Sequence, residues 1–138
     1  MRQATRWALV LLCLSALAVG VPAQFAPASF YRSFPVGMGW VEALPPYNEH
    51  LVRDVGGLYL GFAVLFAWAA VTLDRALVAP VCVAWCVFSA AHLTFHVAHA
   101  SGAPEVALQI GSLAAVLVLA AAVLWATISG PAAGAPRA

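Results

Sequence analysis

Two short segments of this chain gather side chains whose types and spacing suit ligand chemistry. Residues 48–54 read N-E-H-L-V-R-D and hold Glu49, His50, Arg53 and Asp54. Residues 92–99 read H-L-T-F-H-V-A-H and hold His92, His96 and His99. On a helix, positions i, i+4 and i+7 share one face, so the three histidines can converge on one ion. Asp54, Glu49 or His50 would complete its shell, and mixed nitrogen and oxygen donors suit a transition metal better than calcium. Within the first segment Arg53 can bond Glu49 one turn back, and Asp54 can bond His50 in the same way. Those contacts alone account for part of the charge. The same residues therefore equally make a polar network that locks helices together or recruits a partner.

Other chemistries find less. Four histidines are too few for a membrane di-iron hydroxylase centre. Haem between two histidines stands behind a metal ion, since C-x-x-C-H is missing. Ser89 lies one turn from His92, but G-x-S-x-G is absent, and no residue is assigned a catalytic role. An enzyme is the third reading, after a ligand site and a structural network.

The elements that must position these residues are helices in lipid. Of 138 residues, 64% are hydrophobic and 8% charged, with no lysine; soluble domains carry about a quarter charged residues. A net charge of +1 without a basic stripe excludes a nucleic-acid partner. Cys13, Cys82 and Cys86 all lie in apolar stretches and read as small hydrophobic residues, not a disulfide framework. Four runs, about 7–25, 49–73, 76–99 and 106–128, match the ~20 residues that cross a bilayer. Period-two alternation is missing, which disfavours a β-barrel. The expected fold is all-α, a single four-helix integral membrane domain. The first run also resembles a secretory signal cleaved after Ala23, but its apolar character continues through Phe25 and Ala26, which favours a retained helix.

Arginines orient the chain. With the N-terminus inside, Arg2, Arg6, Arg75 and Arg137 are cytoplasmic and Arg32 and Arg53 are outside, so N-in/C-in is expected. Asp74 and Arg75 then mark a tight inner hairpin, and residues 101–105 the outer turn. Residues 27–47 form the sizeable outer loop, whose Phe30, Tyr31, Phe34, Trp40 and Tyr47 suit the headgroup level or a lid. Both polar segments reach the same membrane face, with Asp54 and His92 each about 9 Å below the outer helix ends. His50, Arg53, Asp54, Gly57 and Gly61 share one sector of the second helix; Cys82, Trp85, Ser89, His92, His96 and His99 share a stripe of the third. Polar groups face lipid at a cost, so both stripes are expected inside, around one outward-facing pocket. Gly57 and Gly61 are the expected close-packing pair and also permit a homo-oligomer or another membrane protein to dock.

The segments "PASFYRSFP", "WVEALPPYNEHLVRDVGGLYL" and "HLTFHVAH" resemble a group of small actinobacterial integral membrane proteins, itself similar in outline to DoxX-like four-helix membrane proteins. That resemblance implies a four-helix bundle in a bacterial plasma membrane. It brings no activity to the site residues.

Overall fold

The apolar runs become helices, and their ends fall where capping residues stand. The computed structural model describes residues 2–100 and 104–130, which form five helices and no strand. These are α1 (Arg2–Phe25), α2 (Pro27–Ser33), α3 (Glu49–Thr72), α4 (Arg75–Ala98) and α5 (Pro104–Ser129). All but α2 are long and apolar enough to cross a membrane. The all-α class expected from the sequence is what forms. The 101–103 part of the outer turn and the tail with Arg137 lie outside the described residues.

Local chemistry explains the boundaries. The Asn48 side chain accepts from the Leu51 N–H at 3.2 Å and starts α3. Asp74 accepts from the Ala76 N–H at 3.0 Å and starts α4. Each satisfies one of the orphan donors of a first turn. Between them Leu73 takes the left-handed conformation, φ 52°, as the expected hairpin requires. The short α2 arises inside the expected loop. Pro27 in its first turn is preorganised for helix, and burial of Pro27 and Phe30 holds the segment against α1 and α3.

The backbones approach most closely for α1 with α3 and for α4 with α5, while α1 also meets α5. Small residues allow the first pairing. A Cβ on Gly56 would stand 2.6 Å from the Gln24 backbone nitrogen, and one on Gly20 would stand 3.1 Å from the Leu60 nitrogen. The approach of α3 to α4 is wider because large rings fill it. Trp85 is 2% exposed. Its ring centroid lies 5.0 Å from Phe62, 5.2 Å from Phe66 and 5.5 Å from Tyr59.

Three arginines fasten helix ends. Arg6, early in α1, donates to the Ala70 carbonyl near the end of α3 at 3.0 Å. Arg53, early in α3, donates to the Gln24 carbonyl near the end of α1. Arg75, the first residue of α4, donates to the Ile128 carbonyl of α5 at 2.9 Å and to that of Gly130 at 3.3 Å. The last carbonyls of a helix lack partners within it and carry partial negative charge, so a guanidinium there satisfies both needs. The bonds also fix α3 antiparallel to α1, and α5 antiparallel to α4. Arg6 and Arg75 thus mark one end of the molecule, and Glu49, Arg53 and the histidines of α4 the other.

Candidate functional site

The first polar segment forms the opening turns of α3. Arg53 Nε donates to Glu49 Oε1 at 2.9 Å, and a second guanidinium nitrogen reaches the Gln24 carbonyl. His50 Nε2 stands 3.3 Å from Asp54 Oδ2. Both pairs are the i, i+4 contacts that helical spacing alone implies. Tyr47 adds its hydroxyl to Glu49 Oε2 at 3.5 Å and packs its ring 5.0 Å from Tyr31. Desolvation, then the Glu49 carboxylate beside it, push the Tyr47 phenol above its ordinary value, so it stays a donor.

The second segment ends α4 as a ladder of rings. His92 stacks on Phe88 at 5.5 Å and meets His96 edge-on at 4.7 Å. His99 stacks on Phe95 at 4.2 Å, and its Nδ1 lies 2.8 Å from the Phe95 carbonyl. A chain of rings, each occupied with its neighbour, differs from ligands aimed at one point. Among the described residues no three His, Cys, Asp or Glu side chains are grouped so as to hold a metal ion.

The two segments share an end of the molecule but do not share a pocket. The stripe on α4 does run inward at Cys82, Trp85 and Ser89, fades to half-buried at His92 and His96, and is exposed at His99. The stripe on α3 is turned outward except for Arg53. His50 and Asp54 side chains are 82% and 54% exposed. They lie roughly 130° around the helix from Tyr59, Phe62 and Phe66, the residues that α3 presents to α4. In a helix long and apolar enough to cross a membrane, polar side chains one or two turns from the end stand where water can compete, so no cost of facing lipid turns them inward. The inward face of α3 goes instead to the small residues that α1 requires.

The glycines show the same rotation. Gly57 and Gly61 are exposed, with only Gln24 Oε1 at 3.7 Å from a Cβ on Gly57 and nothing within 4 Å of one on Gly61. Within the chain, close packing is carried by Gly56 and Gly20 in their place. Nor does the expected lid cover a site between α3 and α4 through α2, which rests on α1 and α3. Arg6 and Arg75, read from sequence as markers of orientation and of the inner hairpin, are bonding residues. Their position at the edge of an apolar run was the available signal. All three cysteines are free.

Comparison with known proteins finds no family model, no curated protein and no solved structure that matches the chain.

Proposed function

We propose that this chain is a non-catalytic, multi-pass subunit of a bacterial plasma membrane, N-in/C-in, that docks another transmembrane helix on the free face of α3. Arg53 and Glu49 belong to the lock between α3 and α1. His50, Asp54, Gly57 and Gly61 are left on one outward face, polar at the headgroup level and nearly flat below it. The observation that carries the reading is the open space at Gly61 beneath that exposed pair. In lipid, helices associate by close backbone approach and interhelical hydrogen bonds, and this face supplies both. The occupant is a second copy or a different membrane protein. The likeness of the N-E-H-L-x-R-D segment to small actinobacterial membrane proteins is compatible with this role and assigns no activity.

Gly61→Ile is the direct test. A Cβ at this position meets no atom within 4 Å inside the monomer, so the thermal midpoint of the isolated chain should hold. Cross-linking of the chain in native membranes should fall at least tenfold, because a branched side chain keeps a second backbone at a distance. Unchanged cross-linking would remove the docking face from consideration.

The adjacent imidazoles of His92 and His96 support a second reading, a transition-metal site completed by donors of the docked partner. Chelator treatment separates the two. Under the docking reading, EDTA leaves both cross-linking and thermal midpoint unchanged. Under the metal reading, EDTA and His92→Ala/His96→Ala each abolish the cross-link.

A further inference from the structure

Arg2 and Arg6 precede an apolar run that closes on Val21-Pro22-Ala23, with a small residue where signal peptidase would cut. The fold keeps this stretch as α1, and the Ala23–Gln24 bond lies inside the last turn of that helix. What covers the bond is α3. Ala23 is fully buried. A Cβ on Gly56 would stand 2.6 Å from the Gln24 nitrogen and 3.0 Å from the Ala23 carbonyl carbon. The carbon that a peptidase attacks and the nitrogen that would leave are therefore both pressed against the α3 backbone. Arg53 holds the next carbonyl, that of Gln24. A peptidase takes its substrate extended, with main-chain groups free to pair, and this bond offers neither condition.

Helix α1 by itself guards the bond poorly. Pro22 has no N–H, so the Ala18 carbonyl loses its donor in the turn that leads into the site. Gly20 weakens the same turn further. The protection has to come from α3, and Arg53 is made 29 residues after Gln24.

We propose that Ala23–Gln24 is a signal peptidase site held closed by α3. With α3 docked, the first helix is retained. In a chain whose α3 does not dock, water adds across this bond and leaves a carboxylate on Ala23 and a free amine on Gln24. The inference rests on the N-in placement proposed above, which sets this end of α1 on the outer face, and is independent of the docking face of α3.

Mass spectrometry of the N-terminus of the whole chain, expressed in bacteria, tests it. The wild type should keep its first helix. Gly56→Leu forces the seam apart and should raise the share of chains beginning at Gln24 about tenfold. Arg53→Gln removes one charge-assisted bond and should raise it about threefold. Adding Ala23→Leu to Gly56→Leu should abolish the cut, because the small residue is gone. Gly61→Leu puts the same bulk on α3 where no atom of α1 stands within 4 Å, and should leave the chain intact. If the Gly56→Leu chain is degraded outright, Arg53→Gln decides. The placement is read separately with Val36→Cys, at a fully exposed loop position. On spheroplasts it should react with a membrane-impermeant maleimide, while the wild type, whose three cysteines lie within α1 and α4, should not. External labelling with no chain beginning at Gln24 in either seam variant overturns the guarded site and spares the placement; absence of labelling overturns both. A wild type that already begins at Gln24, or a Gly61→Leu chain cut as readily as Gly56→Leu, also overturns the proposal.

Discussion

Gly56→Ala is expected to destabilise the protein by about 2–3 kcal/mol, although alanine is the better helix former by ~1 kcal/mol. The added methyl would sit 2.6 Å from the Gln24 nitrogen and 3.0 Å from the Ala23 carbonyl carbon. Both are backbone atoms of a packed helix and cannot turn aside. Helix α1 has to withdraw, and its withdrawal also loosens the contact of Gly20 with Tyr59 and Leu60. It pulls the Gln24 carbonyl away from Arg53 as well, so overpacking and a lost charge-assisted bond add together. Gly61→Ala provides the control, on the same helix and five residues away. It meets no atom within 4 Å, so the monomer should keep or gain stability by up to ~1 kcal/mol. Reversible unfolding in mixed detergent micelles measures both. Equal effects at the two positions would refute the α1–α3 contact described above.

Trp85→Ala should cost about 3 kcal/mol, for a different reason. In lipid the transfer of apolar surface from water is not the driving term, because the surroundings are as apolar as the interior. What the ring supplies is contact. Tyr59, Phe62, Phe66 and Phe88 all stand against it with centroids 5.0–5.7 Å away, and no smaller side chain reaches them together. Removing it leaves a void between α3 and α4, the pair whose backbones are already apart. Trp85→Phe should cost much less, roughly 1 kcal/mol, since it keeps a ring in place and removes an indole N–H that finds no partner among the described residues. A near-ultraviolet dichroism signal that collapses in the alanine variant and survives in the phenylalanine variant would identify ring packing as the cause. Equal losses in both would point instead to the indole nitrogen.

What could be read from the residues alone divides by range. Contacts within one helix were legible: Arg53 with Glu49 and His50 with Asp54 follow from a spacing of four. The Leu73–Asp74 hairpin was legible from the charge pair between two apolar runs. The direction in which each helix turns its faces was not. Gly56 and Gly57 are adjacent and chemically identical, and only the α1 backbone at Ala23 and Gln24, about thirty positions earlier, decides which of them is buried. Histidines at i, i+4 and i+7 share a face in any helix, but convergence needs the rotation of a second helix, which local periodicity does not contain. The bonds of Arg6, Arg53 and Arg75 were hidden more thoroughly still. Their acceptors are backbone carbonyls, which every residue owns, so no residue type announces them.

Those three bonds also set an order of assembly during synthesis. A growing chain offers the Gln24 carbonyl first, and Arg53 follows 29 residues later. Arg6 waits longer, 64 residues, for the carbonyl of Ala70. In the interval Gly20 of α1 stays uncovered. The partner for the far end is made first, and that for the near end only once nearly the whole of α3 has been made. Arg75 in turn waits 53 residues for Ile128. The partners that fasten α1 to α3 are therefore all made before those that fasten α4 to α5, with each arginine made well before its acceptor or well after it.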